Sequence, residues 1–405
     1  MHGLVLEGGG AKGSYHIGVY KALKELNVEI GGIAGTSIGA LNGAMIVQND
    51  YERCYDLWCD ITYSMVADVD DEDIDKIMQL KLVREDLSFL KDKIKVLITG
   101  RGLDITPLKG LLDIYIDEEK IRKSKMDFGM VAINLSQRKP LYAFVEDIPA
   151  GELKNHLMAS AYLPIFKSEK INGERFLDGG FYDNLPFKML LEKGYKDLIL
   201  VRTHAMGYTR KIDLPSDVNA LLISPSDNIG KSYEYDGNKA KKNIELGYYD
   251  GLKAIKGLKG NKYYIHPQGD KDYYFEFLLN IKEEEVREIE KILKLPEIPY
   301  RRSLFEHIIP KICSMLSIGK DCSYEELFIY LLEKKAECLN IEKFKVYDFR
   351  DLLSLVEDRA INIYKEELGP LDKLIEKVDI IPVLNKENTL LEIADILFRR
   401  RDQTK

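Results

Sequence analysis

The sequence predicts an α/β fold followed by a mostly helical region. Over the first 255 residues or so, short apolar runs alternate with segments whose apolar residues recur at helical spacing. Beyond about residue 270 the strand-like runs stop and almost every segment has helical spacing. We therefore expect three parts: a domain over residues 1–255, a connection over residues 256–270, and a helical domain over residues 271–405.

The predicted elements of the first domain begin with a strand at residues 4–6 and a helix at 14–26, where Ile17, Tyr20 and Leu23 follow helical spacing. A second strand at 30–34 leads into a helix at 38–47. The remaining predictions are strands at 128–133, 141–145, 198–201 and 220–223, and helices at 283–295, 327–338 and 352–364.

Composition restricts the class of protein. A net charge of -8 without any long basic block gives no support for a nucleic-acid surface. No apolar run reaches the ~18 residues of a membrane span. The five cysteines form no C-x-x-C pair, which predicts free thiols, no metal centre and, with no leader-like segment at the start, a cytoplasmic location.

The first motif is the glycine loop Gly8-Gly9-Gly10-Ala11-Lys12-Gly13, which falls between a predicted strand and a predicted helix. Glycines allow a tight turn that exposes backbone N–H groups beside a helix N-terminus, where they attract an anion. Two interpretations remain open for this loop alone: a phosphate cradle for a dinucleotide, or an oxyanion hole for acyl transfer.

The second motif is Gly35-Thr36-Ser37-Ile38-Gly39, again between a strand and a helix. A G-x-S-x-G turn places its serine on a sharp bend, and the flanking glycines remove Cβ atoms that would clash there. The third motif, Asp178-Gly179-Gly180, sets a carboxylate before two glycines on a predicted tight turn.

The combination separates the classes of protein better than any single motif. A dinucleotide fold should carry an acidic residue at the end of its second strand, and this chain has Gly35-Thr36-Ser37 there. An α/β-hydrolase should have several strands before its serine and a late histidine, but Ser37 follows only one earlier strand. The residues therefore favour a Ser37–Asp178 dyad without histidine.

These three motifs together resemble the patatin-like phospholipase family over roughly residues 1–255. Segments 159–161, 183–186 and 244–250 also resemble family segments, whereas Glu7 and Lys12 stand where the family usually has Asp and Arg. The resemblance implies a three-layer α/β/α sandwich. It also implies a set of site residues: Ser37 as nucleophile, Asp178 as base, Gly8, Gly9 and Gly10 as oxyanion hole, and Lys12, Gly13, Gly35, Gly39, Gly179 and Gly180 as supporting residues.

The function implied is a serine acyl hydrolase that cleaves fatty-acyl esters of lipids, in the manner of a phospholipase A or lysophospholipase, without metal or other cofactor. Its partner would be a lipid substrate. Transient contact with a membrane surface and assembly into a homo-oligomer are both compatible with this function. One alternative is a regulated effector or interaction protein whose helical tail gates the lipase site. The other alternative is a nucleotide-binding module.

Overall fold

The computed structural model describes residues 1–68, 102–205, 207–209, 211–269, 272–319, 322–365 and 382–399. Contacts divide the chain into two compact units, Met1–Ile255 and Lys256–Lys405. The two units are built on different plans, because a sheet organises the first and helices make up most of the second.

A central sheet organises the first unit. Its strands in the described part of the chain are β1 (His2–Leu6), β2 (Ile30–Thr36), β3 (Asp127–Asn134), β4 (Lys139–Phe144), β5 (Phe176–Asp178), β6 (Asp197–Val201) and β7 (Asn219–Ile223). The spatial order is β4-β3-β2-β1-β6-β7, with β5 paired to β3. Strands β4 and β5 run antiparallel to β3, and the other pairs are parallel.

Helices connect these strands. They are α1 (Ser14–Glu25), α2 (Ile38–Val47), α3 (Tyr51–Asp60), α4 (Thr106–Tyr115), α5 (Glu118–Lys123), α6 (Leu153–Ser160), α7 (Phe187–Glu192) and α8 (Gly237–Lys256). Short 3₁₀ turns lie at Gly10–Gly13, Val145–Asp147 and Gly179–Phe181.

Helices cover both faces of the sheet. On one face, Val5 of β1 belongs to a buried cluster with Phe187 and Leu190 of α7. On the other face, α2 comes so close that a Cβ atom at Gly43 would lie 3.0 Å from the Phe128 ring and 3.1 Å from Ile33. Apolar side chains on both faces are typical of parallel strands. The predicted α/β/α architecture is confirmed.

The order of the strands brings two motifs to one edge of the sheet. From β1 the chain passes to β2 on one side, and it later returns to β6 on the other side. The glycine loop follows β1 directly and Ser37 follows β2 directly. In open α/β sheets, ligands bind outside the carboxyl ends of the strands at this kind of switch in direction.

The second unit is mostly helical, as predicted. Its helices are α9 (Tyr273–Leu279), α10 (Glu283–Leu293), α11 (Tyr300–Ser303), α12 (Ile309–Leu316), α13 (Tyr324–Cys338), α14 (Phe349–Lys365) and α15 (Pro382–Leu397), with a π-helical turn at Leu304–Ile308. Two short parallel strands, β8 (Tyr264–His266) and β9 (Val346–Asp348), accompany them. An apolar cluster that includes Tyr274, Ile289 and Phe328 fills the interior.

The prediction of five free thiols is wrong. Cys313 and Cys322 are joined as a disulfide, whereas Cys54, Cys59 and Cys338 are free. Helix α12 ends at the left-handed residue Ser317, where the chain turns back and carries Cys322 toward Cys313. A spacing of nine residues matches no cysteine motif, so the sequence carried no signal for this pair.

Candidate active site

Ser37 occupies a strained turn between β2 and α2, with φ 55° and ψ -126°. A non-glycine residue at positive φ is uncommon and is often found at functional sites. Glycine is required on both sides. A Cβ atom at Gly35 would lie 2.4 Å from the Gly39 carbonyl oxygen, and one at Gly39 would lie 2.2 Å from the Leu6 carbonyl oxygen. The sequence G-x-S-x-G therefore forms the sharp strand-to-helix turn that its pattern predicts.

Hydrogen bonds fix the backbone around Ser37. Its N–H donates to Ser160 Oγ at 3.0 Å, and Ser160 Oγ donates in turn to the Val131 carbonyl at 2.6 Å. The Thr36 hydroxyl donates to the Asp183 carbonyl at 2.8 Å. The turn is thus connected to β3 and to the segment that follows Asp178, so these elements keep a common geometry.

Asp178 ends the short strand β5 and is 3% exposed. Its Oδ1 accepts the Gly180 N–H at 2.7 Å, while Oδ2 has no hydrogen-bond partner among the described residues. The first glycine of the turn is required, because a Cβ atom at Gly179 would lie 2.2 Å from the Val131 carbonyl oxygen. Asp178 is therefore a buried carboxylate with one oxygen satisfied and one oxygen available.

Burial raises the pKa of Asp178 to about 6, and hydrogen bonding from the Ser37 side chain and the Gly180 N–H lowers it part of the way back. Ser37 thus lies near enough to influence the pKa of Asp178, although the described residues show no hydrogen bond of ordinary geometry between the two side chains. Catalytic hydrogen bonds are often long in unliganded proteins and tighten when substrate binds. Ser37 and Asp178 are therefore near each other, and their action as a catalytic pair stays a prediction.

The three glycines of the loop differ in how their N–H groups are used. Gly8 donates to the Asn184 carbonyl at 3.1 Å, so its N–H is already occupied. Within the described residues, the N–H groups of Gly9 and Gly10 donate to no acceptor. Gly10 has φ +55°, and a Cβ atom there would lie 2.2 Å from the Ser232 carbonyl oxygen. The loop therefore presents two amides, not the three that were predicted.

Two charged residues hold the loop in place. Glu7 is fully buried and accepts hydrogen bonds from the N–H groups of Thr203 at 2.6 Å and His204 at 3.0 Å, and it forms an ion pair with Arg202 at 3.1 Å. Lys12 Nζ donates to the carbonyls of Thr203 at 3.3 Å and His204 at 3.0 Å. Burial lowers the pKa of Lys12, and the nearby charge of Glu7 opposes that shift. Both residues fasten the loop to the segment after β6.

The remaining predicted supporting residues have steric roles. A Cβ atom at Gly13 would lie 2.4 Å from the Ile38 side chain, so α1 can begin close to α2 only with glycine there. A Cβ atom at Gly180 would lie 2.7 Å from Asn184 Oδ1. Asn184 itself is 2% exposed, and its carbonyl and side chain contact both glycine motifs, a role that the sequence analysis did not assign.

An apolar pocket opens beside Ser37 and Gly10. It encloses about 810 Å³, part of which is open to solvent. Its walls come from α2, α3, α4 and the segment after α6. The apolar lining residues are Ile38, Leu41, Met45, Leu57, Trp58, Ile61, Val66, Leu108, Leu111, Leu112, Tyr115, Ile116, Ala161, Leu163 and Phe166. The sequence motifs identify the end of this pocket at Ser37 and Gly10, but not the walls from α3, α4 and the segment after α6, which are distant in sequence.

No histidine is among the described residues that line the pocket. His16 is fully buried in α1, and burial lowers its pKa to about 3, so the ring stays neutral. Its Nδ1 lies 3.3 Å from Asn42 Nδ2.

In the described part of the chain no three His, Cys, Asp or Glu side chains are grouped to hold a metal ion. Searched over the same residues, the chain has no helix both long and apolar enough to cross a membrane.

Comparison with known proteins gives a family match within the first unit. Residues 4–191 match the family model described as patatin-like phospholipase. This stretch contains all three motifs and both members of the Ser37–Asp178 pair. Residues 4–191 thus match a patatin-like phospholipase domain, and over this stretch the resemblance found in the sequence is confirmed.

The chain is also similar to curated lysophospholipases and esterases. Lysophospholipase NTE1 from Eremothecium gossypii is 27% identical over 260 residues, which cover 64% of this chain and 15% of that protein. Neuropathy target esterase sws from Drosophila melanogaster is 25% identical over 279 residues, covering 66% of this chain and 18% of that protein. The match thus spans less than a fifth of either relative.

The crystal structure of VipD from Legionella pneumophila aligns with a TM-score of 0.37 and 14% identity, covering 100% of this chain and 93% of that chain. This similarity is too distant to support an argument.

Proposed function

We propose that this protein hydrolyses fatty-acyl esters of lipids through Ser37 and Asp178. The observation that carries the proposal is the position of the Ser37 hydroxyl, on a strained turn beside a buried carboxylate, at the end of an apolar pocket. The names of these two relatives, lysophospholipase and esterase, support lysophospholipids as the first substrates to test.

Asp178 is suited to act as the base. A carboxylate with an ordinary pKa near ~3.9 is a weak acceptor for a hydroxyl proton. Burial raises the pKa of Asp178 to about 6, which makes the carboxylate a stronger base that is still mainly ionised at pH 7. The available Oδ2 would take the proton, because Oδ1 is engaged by the Gly180 N–H.

The reaction would proceed in two balanced halves. Ser37 Oγ attacks the ester carbonyl carbon and its proton passes to Asp178; the C–O bond then breaks as Asp178 returns that proton to the departing alcohol. Asp178 next takes a proton from water, whose oxygen attacks the acyl-enzyme. Release of the fatty acid leaves Ser37 Oγ, which recovers the proton.

The Gly9 and Gly10 amides are the proposed donors to the oxyanion. Gly8 is left out because its N–H already binds the Asn184 carbonyl. Loss of one such donor typically lowers the rate by about 10²–10³-fold. The apolar pocket would take the acyl chain, since transfer of methylene groups from water stabilises binding by about 0.8 kcal/mol each.

A direct test is labelling with a fluorophosphonate probe followed by peptide mapping, together with fatty-acid release from lysophosphatidylcholine. We expect the label on Ser37, and we expect Ser37→Ala to abolish both labelling and release. The matched control is Ser136→Ala, at an exposed serine after β3, which should leave both unchanged. Release that continues in Ser37→Ala, or a label on another serine, would contradict the proposal.

A further inference from the structure

Tyr235 lies at the reactive end of the pocket, in the segment just before α8. It lines the pocket together with Ser37 and Gly10. Its hydroxyl oxygen is 3.3 Å from the position that a Cβ atom would take on Gly10. The phenol group is therefore next to one of the two glycines whose amides are available.

The surroundings of Tyr235 hold its ring but leave its hydroxyl available. The Tyr63 ring meets it edge-on, with centroids 6.0 Å apart and an interplanar angle of 81°. The Ala11 N–H donates to the Ser232 carbonyl at 2.8 Å, which ties the segment carrying Tyr235 to the glycine loop. Among the described residues the Tyr235 hydroxyl has no hydrogen-bond partner. A fixed donor without a partner, facing a pocket, is arranged for a ligand atom.

We propose that the Tyr235 hydroxyl is a catalytic residue that donates a hydrogen bond to the acyl carbonyl oxygen as it becomes the oxyanion, next to the Gly9 and Gly10 amides. The inference rests on the proposed function. It assigns a side-chain donor to a site in which the motifs supply only backbone donors. Burial, with the charge of Asp178 adding to it, raises the pKa of Tyr235, so the hydroxyl keeps its proton at neutral pH.

The test is Tyr235→Phe, which removes the hydroxyl and keeps the ring. We expect kcat to fall about 10²-fold, as for loss of one oxyanion donor, with KM nearly unchanged. The melting temperature should stay the same, because the hydroxyl makes no hydrogen bond within the described protein. A change in kcat below threefold would overturn the inference.

A pH profile distinguishes this role from a positioning role on Asp178. In the wild-type protein kcat/KM should fall below pH 6 as Asp178 becomes protonated. In Tyr235→Phe the acid limb should keep that position while the whole profile drops. A displaced limb would overturn the inference, because it would show that Tyr235 acts through the carboxylate.

Two further variants make the outcome specific. Tyr20→Phe is the matched control, because Tyr20 is a half-buried tyrosine packed on another tyrosine ring, 5.7 Å away at Tyr51, and it does not line the pocket; it should leave kcat unchanged. Ser37→Ala, assayed in parallel, separates the two proposals. Loss of activity in Ser37→Ala with full activity in Tyr235→Phe would overturn the inference alone, whereas activity in Ser37→Ala would overturn the proposed function.

Discussion

Each unit of this protein contains a buried carboxylate that contacts backbone amides, and the two are satisfied differently. In the second unit, Glu333 of α13 is 5% exposed and accepts the N–H groups of Asn261, Lys262 and Tyr263 at 2.6–2.8 Å. Both of its oxygens are engaged. In the first unit, Asp178 is equally buried, but it accepts only the Gly180 N–H among backbone groups and keeps Oδ2 available.

The difference shows how the same chemical group can hold a chain together or act on a substrate. Backbone donors on both oxygens stabilise a charged carboxylate and tie a loop to a helix, as Glu333 does for residues 261–263. A carboxylate that is buried with one oxygen unbonded is held above its ordinary pKa and attracts a proton. We therefore expect substitution of Asp178 to lower turnover and raise stability, and substitution of Glu333 to leave turnover unchanged and lower stability.

The largest effect should follow Asp178→Asn, which removes the proposed base and keeps the shape of the side chain. We expect turnover of lysophosphatidylcholine to fall about 10²–10⁴-fold. Glu333→Gln is the matched control from the second unit and should retain wild-type turnover at 25 °C. Equal losses in the two variants would show that the assay reports folding and not a role for Asp178 in the chemistry.

Asp178→Asn should have a smaller effect on stability than on turnover, and this effect should be a gain. Because the pKa of Asp178 is raised from its ordinary value of 3.8 to about 6 in the folded chain, the folded state binds the proton more tightly than the unfolded chain. That stabilisation is complete below about pH 4 and is lost as the pH rises through 6, a difference of about 3 kcal/mol.

Asn resembles the protonated form of Asp178 and does not ionise. Asp178→Asn should therefore increase the free energy of unfolding by up to about 3 kcal/mol at pH 8 and by little at pH 4. Urea denaturation at the two pH values measures this. A variant that is less stable than the wild type at pH 8 would argue against a costly buried charge at this position.

The smallest effect is expected for Glu333→Gln. The carboxylate of Glu333 accepts hydrogen bonds from the three backbone N–H groups on both of its oxygens. In Gln one of these oxygens is replaced by an NH₂ group, which cannot accept, so at least one backbone N–H loses its partner. We expect the free energy of unfolding to fall by about 1–3 kcal/mol at neutral pH. If urea denaturation shows no loss, the three N–H groups at residues 261–263 find other acceptors, and Glu333 does not anchor this loop.

The role of the helical unit stays a prediction. The structure divides the chain within one residue of the expected end of the first domain, but it offers no observation that assigns a function to the helices. Regulation of the site by the helical unit, the state of assembly, membrane-surface contact and a cytoplasmic location remain expectations from the sequence.

Local features were predictable where local sequence is enough to cause them. Helix α2 begins and ends at the residues that its spacing indicated, and the turn at Ser37 follows from glycines that no other residue could replace. Strand β5 was not predicted because three residues are too few for a periodic signal; its pairing with β3 produces it. The disulfide between Cys313 and Cys322 was missed because a chain reversal at Ser317 brings the two cysteines together.

The sequence by itself determined the α/β plan and the strained serine turn, because each depends on residues a few positions apart or on the order of elements along the chain. It also predicted the Ser37–Asp178 pair, which stays a prediction. The tertiary structure alone decided which amides remain available, that Glu7 and Lys12 anchor the loop, and that Tyr235 stands beside Gly10. Those properties depend on contacts between residues that are distant in sequence. The Asn184 carbonyl accepts a hydrogen bond from the N–H of Gly8, 176 positions earlier in the chain. Burial raises the pKa of Asp178, and no single segment of the sequence produces that burial.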